Sequence, residues 1–212
     1  MTVFFYFFLS HMLGDYVFQT SFIARNKNKN IYVLILHILI IYACMYIVIL
    51  PKGLINNCLL ILLSVMHFFI DIIKFKYGKN DFFKGADYYL FDQLIHLLTL
   101  LIVSHFFVGQ EMYLSYDLVL KSSVGLFNAF TIGILSGYIF NDMTKYKKDY
   151  FGYLIRFSIP FLPNLWFLLL SVPVYVYFIL RFMDTQKSKQ NHEKLFSLSL
   201  SYIITIIILE VA

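Results

Sequence analysis

The chain has 212 residues, is 60% hydrophobic and 14% charged, and carries a formal net charge of +5. Soluble domains run near ~45–50% apolar and ~25% charged. This composition, with a mean hydropathy of +0.76, therefore excludes an ordinary soluble or disordered chain and predicts an all-α, polytopic transmembrane helix bundle in the cell membrane. The basic residues fall mostly in loops. They read as positive-inside topology and contact with anionic lipid heads, so the expected partner is membrane lipid and not nucleic acid.

A membrane helix needs about 20 mostly apolar residues. The first predicted span covers 3–23 and stops at Arg25, Lys27 and Lys29. Its start, MTVFFYFFLS, has no basic run and no A-x-A site, so no cleavable leader is expected. The second span covers 31–50 and ends at the turn Pro51-Lys52-Gly53. The third covers 54–75, and a polar segment with Lys74, Lys76, Lys79, Asp81, Lys84 and Asp87 comes next. The fourth covers 88–108. These spans form two tight hairpins and a first transmembrane unit, 1–108.

Residues 109–212 form a glycine- and proline-containing second unit, expected to join the first in one structural domain. The stretch 124–140 is apolar and contains Gly125, Gly133 and Gly137. A Gly133-x3-Gly137 spacing lets helices approach closely. A polar loop at 141–148 leads to a short apolar stretch, 150–162, that carries Arg156. Pro160, Pro163 and Pro173 break or kink the chain after this stretch. Further spans are expected at 165–182 and 195–212, which brings the total to about 7–8 membrane helices. Cys44 and Cys58 show no CxxC spacing and read as free, buried thiols. The Lys/Arg asymmetry places the 24–30 and 74–87 segments in the cytoplasm and the N-terminus outside.

The informative pattern is polar. His11/Asp15, His67/Asp71 and Asp92/His96 are pairs four residues apart within apolar spans, and His37 stands alone in the second span. Spacing by four puts both side chains on one helix face. A charge at the bilayer centre costs about 2.5–3.5 kcal/mol on insertion scales, so something must offset three acids. At 1.5 Å per residue, Asp71 and Asp92 lie roughly 6 Å from the basic ends of their spans and His37 roughly 9 Å. Asp15, His67 and His96 lie roughly 12–13 Å deep, and His11 roughly 18–20 Å. Helices that alternate in direction thus bring their polar groups to one slab of one leaflet.

Imidazole and carboxylate suit zinc, iron, manganese or nickel, and helix bundles build such sites from residues one turn apart on facing helices. His37, His67, Asp71, Asp92 and His96 are the candidate ligands of a divalent metal, zinc among the choices. Asp15, His11 and Lys74 are candidate catalytic groups. Gln19, one turn beyond Asp15, can orient a ligand, as can Gln93, although neighbouring Asp92 is expected to face elsewhere on its helix. Arg156 and Arg181 are candidates for holding an anionic substrate. Read without a metal, the same residues are a proton or cation pathway, or a polar core that sets helix register. His105 and His192 read as ordinary.

The series His11-x3-Asp15-x3-Gln19, His37, His67-x3-Asp71-x2-Lys74 and Asp92-Gln93-x2-His96 resembles an uncharacterised prokaryotic integral membrane family, domain of unknown function three-three-zero-seven. The run from Ser10 to Gln19 is similar to that family's His-Leu-Leu-Ala-Asp-Phe-x-Leu-Gln start. The polar order matches over residues 1–100. The second half is less similar, and a Glu-Arg pair expected near Arg156 stands here as Ile155-Arg156. The resemblance implies that the polar residues act as one site, and supplies no activity. A more distant likeness is to membrane proteins labelled metal-dependent hydrolases.

The residues admit three classes of function. One is a metal-dependent hydrolase or transferase acting on a lipid or lipid-linked head group. The second is a transporter or channel for metal ions, protons or small cations. The third is a structural, immunity or assembly protein whose polar core sets helix register. A homo-oligomer is compatible with any of the three.

Overall fold

The computed structural model describes residues 2–77, 85–140, 150–162 and 188–211. The expected loop at 141–148, the expected span at 165–182, and Arg181 lie outside the described residues. Every regular element among the described residues is helical. In chain order they are α1 (Thr2–Met12), a π turn (Leu13–Val17), α2 (Ser21–Asn26), α3 (Ile31–Ile49), α4 (Gly53–Tyr77), α5 (Ala86–Ser104) and α6 (Tyr116–Leu126). A second π turn (Phe127–Ile132), α7 (Gly133–Phe140), α8 (Tyr150–Ser158), a 3₁₀ turn (Ile159–Phe161) and α9 (Ser188–Val211) complete the order. Among the described residues, five stretches are long and apolar enough to cross a membrane: Ile31–Ile49, Gly53–Tyr77, Ala86–Ser104, Tyr116–Phe140 and Glu193–Val211. The helix α8 spans only about 14 Å at 1.5 Å per residue, too short to cross alone.

The first expected span, 3–23, is not one helix. The apolar helix Val3–Val17 ends early. Its last turn is wide, with the Phe18 amide donating to the Leu13 carbonyl at 2.8 Å. Thr20 is extended, and its hydroxyl accepts from the Ile23 amide at 3.3 Å, which starts α2. Gly14 permits this geometry, because a Cβ there would collide with Cδ1 of Ile41 on α3.

Capping explains the neighbouring boundaries. The Asn30 side chain accepts from the Tyr32 amide at 2.9 Å and opens α3. Leu50, at φ 45°, ends α3 in the left-handed region, just before Pro51. Gly53 comes next at φ 81°. Only a short, strained turn therefore separates α3 from α4, and the two run antiparallel.

Contacts divide the chain into two compact units, Met1–Ser123 and Val124–Ala212. In the first, α1 packs on α3, α3 on α4, α4 on α5, and α5 back on α1. Four helices thus close a ring. Leu39, Ile47, Leu54, Ile61, Leu94 and Ile102 face outward. Phe7, Met12, Leu34, Ile41, Met45, Ile49 and Leu60 fill the inside together with the histidines and aspartates. Apolar-out and polar-in is the arrangement a bilayer imposes. Away from the polar residues, Asn56 of α4 bonds both backbone groups of Val108 at 3.0 Å. Gln110 bonds the carbonyls of Ile49 and Leu50 and the amide of Lys52. This clasp ties the α3–α4 turn to the segment after α5. Cys44 is buried as expected, whereas Cys58 is exposed on the outer face of α4; both are free.

In the second unit, Arg156 of α8 is buried. It donates to Ser197 Oγ at 3.2 Å and to the Ala129 carbonyl at 3.4 Å, and it lies over the Tyr153 ring. Gly133 makes room for it, since a Cβ there would stand 2.8 Å from Arg156 Nη2. Asn128 donates to Thr205 Oγ1 at 2.8 Å.

The Gly14 contact is a test of the ring. Gly14→Ala should destabilise the protein by about 1–3 kcal/mol through overpacking. Adding Ile41→Val, which deletes the colliding Cδ1, should restore part of the loss. Thermal unfolding in detergent reads both variants; equal melting of Gly14→Ala and wild type would contradict this packing.

Candidate functional site: a buried His/Asp/Lys cluster

The ring of helices in the first unit brings all four expected histidines and all three aspartates together. His11 comes from α1, Asp15 from the π turn, His37 from α3, His67 and Asp71 from α4, and Asp92 and His96 from α5. None is more than 7% exposed. The wide turn at 13–17 belongs to this arrangement. A π turn re-aims the side chain it carries, and Asp15 reaches three histidines from there. Its Oδ1 lies 3.0 Å from His37 Nε2 and 3.6 Å from His67 Nε2, and its Oδ2 lies 3.5 Å from His11 Nε2.

Asp71 is the hub. Its Oδ2 lies 3.0 Å from Lys27 Nζ, 3.4 Å from His37 Nε2 and 3.7 Å from His67 Nε2. Its Oδ1 lies 3.4 Å from Lys74 Nζ and 4.0 Å from His96 Nε2. Asp92 takes the other side of Lys74 at 2.6 Å and lies 3.7 Å from His96 Nε2. The imidazoles stack into a compact group. Ring centres are 4.2 Å apart for His67–His96, 5.1 Å for His11–His96, and 5.4 Å for His11–His67 and for His37–His67.

Among the described residues, three sets of donor atoms lie mutually within 4.8 Å: His11/His67/His96, Asp15/His37/His67 and Asp71/Asp92/His96. His11 Nε2, His67 Nε2, Asp71 Oδ1 and Asp92 Oδ1 are buried and make no hydrogen bond of good geometry. Such atoms carry a desolvation cost unless a partner is supplied.

Sequence reasoning missed Lys27. It reads as a loop cation, yet α2 folds back so that its ammonium sits 3.0 Å from both Asp71 Oδ2 and His37 Nε2. The signal available was charge balance: three buried acids against Lys74 alone leave two charges to offset. Gln93 reaches Asp92 directly, with Nε2 donating to Oδ2 at 3.1 Å, so the adjacent positions do share an environment. Tyr16 continues this chain, donating to Gln93 Oε1 at 3.0 Å and meeting the Tyr89 hydroxyl at 2.7 Å. Gln19 lies beyond the end of the π turn, so it is not one helical turn along from Asp15; its side-chain oxygen is buried without a hydrogen bond. Arg156 belongs to the second unit. His105 bonds the Leu101 carbonyl one turn back, as an ordinary helix-end residue does.

These features define a class: an apolar, all-helical protein suited to a membrane, with a His/Asp/Lys cluster buried inside a four-helix ring. The chain belongs to the family described as "Protein of unknown function (DUF3307)", whose profile matches residues 3–124. That range holds every histidine, aspartate and lysine of the cluster. No curated protein and no solved structure matches the chain.

The hub can be tested for its structural share. Asp71→Asn leaves two ammoniums short of a partner and should destabilise the protein by about 3–5 kcal/mol. Asp117→Asn breaks the exposed Lys121–Asp117 pair and should cost at most ~1 kcal/mol. Denaturation midpoints in one detergent compare the two; similar losses would remove Asp71 from its place as hub.

Proposed function

We propose that the cluster is an intramembrane metal centre and that the protein is a metal-dependent hydrolase or transferase acting on the head group of a lipid or lipid-linked substrate. The observation that carries this reading is the overlap of three buried His/Asp donor sets within one helix ring. Zinc fits the donor chemistry: catalytic zinc sites use three protein ligands, often all imidazole, and keep one position open. His11, His67 and His96 form such a set, and the bonds of Lys27 and Lys74 go elsewhere, to His37, Asp71 and Asp92. The unsatisfied Nε2 atoms of His11 and His67 favour the same corner.

Charge supports a bound cation. Three carboxylates against two ammoniums leave one negative charge when the imidazoles are neutral. A divalent ion would offset that charge and lower the pKa of a bound water towards ~7. The remaining work falls to the protein. Asp15, next to His11, accepts a proton as general base. Asp71 and Asp92 hold the imidazoles or complete the ligand set. Lys74, 17% exposed, stands at the rim, where an anionic head group would meet it while the tail stays in the bilayer. Arg156 belongs to the second unit, where Ser197 and the Ala129 carbonyl hold it, so Lys74, a member of the cluster itself, carries the anion-binding part of the proposal.

A cation path needs polar groups through both halves of the ring. Beyond the cluster, Ser10, Ser64, Thr99 and Ser104 turn back to carbonyls of their own helices. Phe7, Leu60, Leu100, Val103 and Phe107 fill the space between. This apolar filling favours an enzyme over a transporter. One observation favours a metal-free proton relay: a single proton on one imidazole also balances the charge.

Metal analysis of detergent-purified protein decides between them. The expected result is about one tightly held divalent ion per chain in wild type, its loss in His67→Ala and Asp71→Asn, and its retention in Lys74→Ala with weakened substrate binding. Metal-free wild type that supports proton or cation flux in proteoliposomes would overturn the enzyme reading.

A further inference from the structure

The corner around His37 contains a contradiction. Its Nε2 has Lys27 Nζ at 3.0 Å, Asp15 Oδ1 at 3.0 Å and Asp71 Oδ2 at 3.4 Å. A ring nitrogen has one bonding direction, either a lone pair or an N–H. With a lone pair it accepts from Lys27 but faces two carboxylate oxygens. With a proton it donates to a carboxylate but faces the ammonium. Neither tautomer satisfies all three neighbours, and Nδ1 of the same ring is buried without a hydrogen bond.

Asp15 and His37 form, with His67, a set of donor atoms mutually within 4.8 Å, the nitrogen and oxygen ligands that a divalent cation takes. His37 Nε2 and Asp71 Oδ2 instead share the ammonium of Lys27. Lys27 is well placed for a temporary occupant. It caps the C-terminus of α2, a helix of six residues that begins after the break at 18–20, and its side chain is 12% exposed. A four-carbon stem from that position can leave the cluster without moving α3 or α4.

We propose that Lys27 is the resident cation of the His37 corner: its ammonium occupies His37 Nε2, the nitrogen that the Asp15/His37/His67 set would offer a divalent ion, and it withdraws when the ion binds. This rests on the metal reading of the cluster and concerns its Asp15/His37/His67 set, which shares His67 with the His11/His67/His96 set and to which it adds a regulatory residue. Lys27 then keeps the acids neutralised while the site is empty, and sets how much cation is needed to fill it. Unlike Lys74, which bridges two carboxylates, Lys27 touches a ligand nitrogen directly.

The test is titration of chelator-treated, detergent-purified protein with Co²⁺ alone, read by visible absorption and bound-metal analysis. Lys27→Met keeps the stem and removes the charge. It should bind Co²⁺ at least about tenfold more tightly than wild type, because a like charge beside the ion is gone. His37→Ala placed on top should abolish the gain. If wild type binds Co²⁺ and Lys27→Met binds it no more tightly, the Lys27 proposal is wrong and the metal reading stands. If neither binds, the metal reading fails and the proposal fails with it. A second measurement needs no variant: amine-reactive labelling of wild type, read by mass spectrometry, should rise at Lys27 when Co²⁺ or Zn²⁺ is added. Unchanged or reduced labelling in metal-loaded protein would also overturn the proposal.

Discussion

Three carboxylates and two ammoniums are packed inside a ring of helices whose outer face is hydrocarbon-like, and each neutralises its neighbours. Asp71 touches both lysines, Asp92 shares Lys74, and Asp15 is held among three imidazoles. Breaking such a group by removing one member leaves an uncompensated buried charge, which costs several kcal/mol. This mutual dependence explains why every helix of the ring contributes a member. It also explains why a short segment outside the long spans, α2 with Lys27, is folded back onto the bundle.

The rest of the first unit supports that centre. The α3–α4 turn is pinned by Gln110, and the segment after α5 is pinned to α4 by Asn56. Between clasp and cluster the ring is filled by Phe7, Leu60 and Met45. Ser10, Ser64, Thr99 and Ser104 along it bond to carbonyls of their own helices. An apolar filling with polar groups at one level fits the proposed site. Preorganised donors in a low-dielectric interior interact more strongly than the same donors in water.

Much of this was legible in the chain. The pairs His11/Asp15, His67/Asp71 and Asp92/His96 are local patterns, and local periodicity survives folding because helix geometry is fixed. Their common depth came from the same geometry, and convergence of seven residues came from depth. The features that could not be read are non-local or depend on broken periodicity. Lys27 joins the cluster only because residues 18–20 leave the helix. The close approach of Gly14, in the wide turn at Leu13–Val17, to Ile41 of α3 is a contact across helices that no spacing rule contains. The bond from Gln93 to Asp92 depends on side-chain reach along the helix surface, which face assignments ignore. The exposure of Cys58 likewise reflects which face of α4 the ring leaves outside.

In the proposed centre, the imidazoles of this cluster bind a metal. X-ray absorption spectroscopy of the purified, metal-loaded protein tests it most directly, because it reports the atoms bonded to the ion. The account predicts zinc, or another first-row divalent ion, with several nitrogen neighbours at about 2.0–2.1 Å and imidazole multiple scattering. It also predicts that this signal is lost in His67→Ala. An ion coordinated by oxygen alone, or a spectrum unchanged by His67→Ala, would contradict the account and leave the cluster as a charge-balanced structural or proton-carrying core.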